Sequence, residues 1–118
     1  MANVIDYVEL AVDDLAQAKV FYGEALGWAF NEYGDDYAGI KDPGKPDHEF
    51  GGLNPHPAES RGDGVLALVR SDEVDGALAS VLAAGGRLHV ELHEYPGGRR
   101  FMFADPWSNI LGVYQPGE

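Results

Sequence analysis

Apolar and polar residues first alternate, then recur at helical spacing, then alternate again, and the whole order occurs twice. Val8, Leu10 and Val12 form one apolar row of a strand running from about Val4 to Val12, with Ile5, Tyr7, Glu9 and Ala11 on the other row. Leu15, Ala18, Phe21 or Tyr22, Ala25 and Leu26 follow at near-helical spacing, which predicts a helix with one buried stripe. Asp13 or Asp14 caps its start, Gln17 stands three residues after Asp14 as in a capping box, and Gly27 supplies a left-handed stop. Trp28 to Tyr33, Tyr37 to Lys41 and Glu49 to Leu53 read as strands. A Gly34-Asp35-Asp36 turn and a loop over Pro43-Gly44-Lys45-Pro46-Asp47 separate them.

The second half repeats the order. Val65 to Arg70 reads as a strand, and Asp72 to Ala84 as a helix burying Val74, Ala77, Leu78, Val81 and Leu82. Arg87 to His93, Arg99 to Ala104 and Ile110 to Gln115 complete the set as strands, joined by Tyr95-Pro96-Gly97-Gly98 and by the tight turn Asp105-Pro106-Trp107-Ser108-Asn109. Pro55 to Gly64, rich in Pro, Gly, Ser and charge, is the linker. The expectation is one α+β domain over residues 1–118, built of two βαβββ modules at 3–57 and 62–116. Two half-sheets facing each other would leave the gap between them as the place for binding or chemistry.

Composition narrows the function classes. At 118 residues a single core buries roughly two-thirds of the unfolded surface without staples. No cysteine is present, so disulfides, thiolate metal sites and a thiol nucleophile are excluded. The first residues lack a basic stretch followed by an apolar one, and no apolar run is long enough for a membrane span, so a cytoplasmic protein is expected. The net charge of −12, with eight Lys and Arg, argues against nucleic acid and anionic membranes as partners. A neutral or cationic small molecule is compatible with it.

Three stretches carry a family resemblance: Ile5-Asp6-Tyr7-Val8-Glu9-Leu10; Asp14-Leu15 with Phe21-Tyr22 and Leu26-Gly27-Trp28; and Phe103-Ala104-Asp105-Pro106-Trp107-Ser108-Asn109. In these the chain resembles the vicinal oxygen chelate superfamily, which groups glyoxalase I, bleomycin resistance proteins and extradiol dioxygenases. The resemblance implies an open, cup-shaped mixed sheet with helices outside, and a homodimer. It also implies four metal ligands in the enzymes, two per module. Here those positions fall on Tyr7, on Gly51 or Gly52, on Val65 and on Gly112, none of which is His, Asp or Glu. A divalent metal needs several nitrogen or oxygen donors around one point. The expected cofactor is therefore none, with a divalent metal as the alternative.

The cavity-lining candidates are Tyr7, Glu9, Val65, Arg100, Met102 and Tyr114. Glu9 shares the face of Tyr7 and would pair with a ligand cation or, in an enzyme, act as general base; a salt bridge to Arg99 or Arg100 is the structural alternative. Arg100 offers a guanidinium fork for a carboxylate or phenolate, against a salt bridge with Glu9, Glu91 or Glu94. Phe101 and Phe103, on the opposite face, read as core, and Trp28 and Trp107 as packing. His89, Glu91 and His93 share one face of a strand at about 6.6 Å intervals, so a metal could bridge them only with strained reach; they read as edge protection, with a rim contact to ligand as the functional alternative. His48 and His56 read as loop residues. The Asp105 to Asn109 turn is structural, and Ser108 stands where the family usually has Gly. The leading expectation is a small-molecule-binding protein akin to the drug-sequestering members. The alternatives are a glyoxalase- or dioxygenase-type lyase or oxidoreductase, or a metal-free enzyme with Glu9 as base.

Overall fold

The computed structural model describes residues 6–56 and 66–117. The first module runs β1 (Val8–Ala11), α1 (Leu15–Leu26), β2 (Phe30–Glu32), β3 (Ala38–Asp42) and β4 (Lys45–Asn54). The second runs β5 (Ala67–Arg70), α2 (Val74–Ala84), β6 (Arg87–Tyr95), β7 (Gly98–Ala104) and β8 (Ile110–Pro116). Each forms a four-stranded mixed sheet, in the orders β1-β4-β3-β2 and β5-β8-β7-β6. The first strand of each pairs in parallel with the last, and the rest are antiparallel. These are the two βαβββ modules of the expected α+β class. Residues 57–65, which include most of the expected linker and Val65, lie outside the described residues.

In the first module Asp14 caps α1, accepting a hydrogen bond from the Gln17 backbone at 3.0 Å, and Gly27 ends it at φ 72°. Leu15, Ala18, Phe21, Tyr22 and Ala25 are buried as the spacing predicts, both aromatics included. Tyr22 stacks on Trp28, whose edge meets Phe50 of β4, so an aromatic chain ties helix to sheet. Lys19 of α1 also pairs with Glu32 of β2. The expected loop over residues 43–47 shrinks to a two-residue turn, because β4 begins at Lys45. Asp42 stabilises that turn by accepting from the Gly44 amide at 2.9 Å. His48 accordingly lies on a strand rather than a loop.

In the second module α2 lies across β6, β7 and β8. Val74 and Val81 are fully buried and Ala77 and Leu78 partly so, but Leu82 is 46% exposed, outside the stripe assigned to it. Phe101 and Phe103 are fully buried, as expected for the helix-facing row of β7. The Asp105 turn is a closed hydrogen-bond unit. The buried Asp105 carboxylate accepts from the backbone of Trp107 at 2.9 Å and of Asn109 at 2.8 Å, and from the Asn109 side chain at 2.8 Å. Ser108 takes the left-handed conformation at φ 69° that a glycine would hold more easily.

Strict alternation fails on β6. The register slips twice against β7, so Val90 stands opposite Met102 and His93 opposite Arg100. Val90 and His93 therefore share the Arg100 face, and Val90 lies opposite to the face of Leu88.

Candidate functional site

The first module's sheet has two faces. Val8, Leu10, Ile40 and Leu53 belong to the apolar one. On the other, one row crosses all four strands: Glu9 of β1 pairs with Gly52 of β4, Gly52 with Gly39 of β3, and Gly39 with Asn31 of β2. Two adjacent glycines in the middle of that row leave a bare patch of backbone. Tyr7 and Tyr37 lay their hydroxyls over Gly52, and Glu49 lays its carboxylate over Gly39, where any larger residue's Cβ would overlap them.

Glu49 arrives there through a bulge. Ile40 pairs with Gly51 but Lys41 with Glu49, so Phe50 is an extra residue that turns Glu49 onto the face of Gly52. Its Oε2 accepts from the Tyr33 hydroxyl at 2.6 Å and the Asn31 amide at 2.9 Å, and its Oε1 takes a longer contact of 3.5 Å from Tyr7. These donors, Tyr33 first and Asn31 next, hold the Glu49 carboxyl below the usual carboxylate range, so it is an anion. Glu9 is fixed through both oxygens, Oε2 by the Tyr37 hydroxyl at 3.0 Å and Oε1 by the Asn54 amide at 2.9 Å. It makes no salt bridge to Arg99 or Arg100 among the described residues: Arg99 instead forks onto Asp75 of α2 at 3.0–3.2 Å.

Two phenols stand between the two carboxylates. The Tyr7 and Tyr37 hydroxyls lie 2.7 Å apart, and each phenol has one hydrogen to give. With Tyr37 donating to Glu9 at 3.0 Å, Tyr7 donates to Tyr37. Burial, reinforced by the bonds to Tyr7 and Glu9, pushes the Tyr37 phenol far above its ordinary value. Burial also raises Tyr7, and the bond to Glu49 raises Tyr33. All three are neutral donors at physiological pH. The result is a half-open aromatic surface bearing two fixed anions.

Of the residues expected at the site, Tyr7 and Glu9 meet in this network. Arg100, Met102 and Tyr114 lie on β7 and β8 of the second module, and Val65 lies outside the described residues. Arg100 pairs with none of Glu9, Glu91 or Glu94; its guanidinium sits 4.4 Å from the Tyr95 ring centroid. Tyr33, Tyr37, Asn31, Glu49 and Asn54 were not anticipated. Gly39, with Tyr37 and Tyr33 before it at the same parity, is the signal that could have found the tyrosines.

The family model described as Glyoxalase/Bleomycin resistance protein/Dioxygenase superfamily matches residues 4–113. The chain belongs to that superfamily. No curated protein matches it. Among solved structures it is similar to a glyoxalase/bleomycin resistance protein/dioxygenase family enzyme from Burkholderia phytofirmans PsJN, at 22% identity and TM-score 0.78, covering 96% of this chain and 98% of that one. It is similar to an antibiotic binding protein from Streptomyces sp. CB03234 at 25% identity and TM-score 0.72, covering 98% of both chains. It is also similar to a lactoylglutathione lyase from Agrobacterium tumefaciens, at 20% identity and TM-score 0.71, covering 97% and 94%.

The superfamily's metal centre can be tested against these residues. At Tyr7 the group present is a neutral phenol already engaged with Tyr37. The space at Gly52 is filled by tyrosine hydroxyls, that at Gly51 by the Val8 carbonyl, and that at Gly112 by Leu68. No group of three or more His, Cys, Asp or Glu stands together among the described residues. Those positions do not fit a divalent cation.

Proposed function

We propose that this superfamily member binds a small organic molecule with a cationic end, without a metal, at the first module's Gly39–Gly52 face. The observation that carries the reading is the pair of carboxylates, Glu9 and Glu49, held by phenols and amides on the glycine face of the sheet. A fixed anion beside aromatic rings attracts an organic ammonium by charge and by the ring quadrupole. Because the anions are already oriented, little ordering is lost on binding. Similarity to an antibiotic binding protein supports a sequestering role over turnover. The same reading takes the protein as a homodimer, which sedimentation showing only a 12.7 kDa species would contradict.

Calorimetry against a panel of aromatic amines, using protein stripped of metal, is the test. Binding is expected, and Glu49→Gln weakens it by about ten-fold, or about 1.4 kcal/mol. Glu9→Gln weakens it similarly. Metal-dependent turnover, or affinity gained only on adding Mn, Ni or Zn, would replace this reading with an enzymatic one. Loss of metal-free turnover in Glu9→Gln would make Glu9 a general base.

A further inference from the structure

We propose that Oε1 of Glu49 is the docking atom for the cation, and that it restricts the ligand to protonated amines carrying at least one N–H, against quaternary ammonium compounds. This rests on the cation reading of the first module's glycine face, and the cation's chemistry is then set by how many hydrogens that face itself supplies. Its two carboxylates offer four oxygens. Oε1 of Glu9 accepts from the Asn54 amide at 2.9 Å, and its Oε2 from the Tyr37 hydroxyl at 3.0 Å. Oε2 of Glu49 accepts twice, from Tyr33 at 2.6 Å and from Asn31 at 2.9 Å. Its Oε1 has only the Tyr7 hydroxyl, at 3.5 Å.

Tyr7 has no hydrogen left for that oxygen. A phenol gives one, and the Tyr7 hydroxyl stands 2.7 Å from that of Tyr37. Tyr37 gives its own to Glu9, so the short contact is made with the hydrogen of Tyr7. The reverse chain, from Tyr37 to Tyr7 to Glu49, would exchange a 3.0 Å bond to a carboxylate for one of 3.5 Å, a length at which hydrogen bonds are weak. Among the described residues, then, Glu49 Oε1 is the carboxylate oxygen of this face left without a donor at bonding distance. Tyr33 and Asn31 pin the other oxygen, so the group cannot rotate without giving up two good bonds. The same bonds keep it ionised.

An anion fixed in this way takes its strongest partner from a charged N–H donor, whose bond is shorter and roughly twice as strong as a neutral one. A quaternary ammonium brings the same charge but only methyl groups, so the open lone pair loses water and gains no hydrogen. Such cations are held instead by ring faces arranged as a cage. Here the tyrosines present their hydroxyl tips: those of Tyr7 and Tyr37 lie over Gly52, and that of Tyr33 ends on Glu49. The Tyr33 and Tyr37 rings, 6.3 Å apart and tilted by 43°, do not make parallel walls. Tyr33 and Tyr7 are 57% and 37% exposed, and their rings give the ligand's body an apolar seat.

The test is calorimetry of the intact chain near neutral pH with benzylammonium and its mono-, di- and trimethylated forms. The first three carry an N–H and are expected to bind within about three-fold of one another, whereas benzyltrimethylammonium binds about ten-fold more weakly. The dimethylated form is nearly as bulky as the trimethylated one, so a break at the last methyl reports the lost hydrogen bond and not size. Glu49→Gln is expected to abolish the break, because its amide keeps the carbonyl on Tyr33 and Asn31 and turns its N–H donors toward the ligand. Glu9→Gln weakens all four alike and keeps the break. Should Glu49→Gln fail to fold, the series on the parent chain decides by itself. A steady decline with each methyl, equal binding of all four, or a break that survives Glu49→Gln would each overturn the docking proposal and leave the cation site standing. Binding by none of the four would overturn both.

Discussion

A methyl group at position 52 would stand where the Tyr37 and Tyr7 hydroxyls now lie. Gly52→Ala is expected to push both phenols off the sheet. They are the far ends of flexible side chains, so stability falls by only about 1 kcal/mol, whereas amine affinity falls about ten-fold. The same variant has a pH signature. Burial raises Tyr37 above its ordinary value of 10.0, so its contribution to stability is complete below pH 10 and declines as rising pH ionises the unfolded chain first. Ultraviolet titration should show Tyr37 ionising well above pH 10 in the parent and earlier in Gly52→Ala. Ser108 presents the opposite case, a side chain where none is wanted. Its φ of 69° costs an L-residue about 1 kcal/mol, so Ser108→Gly should raise the melting temperature by roughly 4 °C while the Asp105 bonds persist. An unchanged melting temperature would show that the turn absorbs the strain.

Between elements, each module ties helix to sheet by an ion pair and by apolar burial, and the two differ in weight. In the second module Arg99 of β7 forks onto Asp75 of α2 at the surface, while Val81 of α2 is wholly buried. Val81→Ala should cost about 2 kcal/mol in denaturant unfolding. Arg99→Gln should cost a small fraction of that, vanishing in high salt, because exposed pairs are screened. The bulges matter more for function than the ion pairs do. Counting residues by twos puts Glu49 beside Gly51 and Leu53, on the apolar face, and the extra residue Phe50 reverses this. The first slip on β6 does the same for Val90, and the second restores the count at His93. Periodicity placed the strands correctly but could not place the side chains beyond an irregularity, since nothing in the spacing announces which residue will be unpaired.

For the whole molecule the net charge of −12 is a standing self-repulsion. Raising salt from about 10 mM to about 150 mM should raise the melting temperature, and a fall would mean that attractive pairs dominate. No helix among the described residues is long and apolar enough to cross a membrane. The amino-acid order alone determined the duplicated βαβββ plan, the Asp14 cap, the Gly27 stop, the Phe101–Phe103 core and the Asp105 turn. Each of these depends on local periodicity or on a side chain bonding its own neighbourhood. It also indicated Tyr7 and Glu9, which share a strand face by simple parity. Tertiary structure alone decided the rest of the site. Asn31 comes from β2, Glu49 and Asn54 from β4 and Tyr37 from the turn that leads into β3, and they converge because Gly39 and Gly52 happen to pair and Phe50 happens to bulge. Cross-strand register is a property of pairing between distant segments, and no window along the chain contains it.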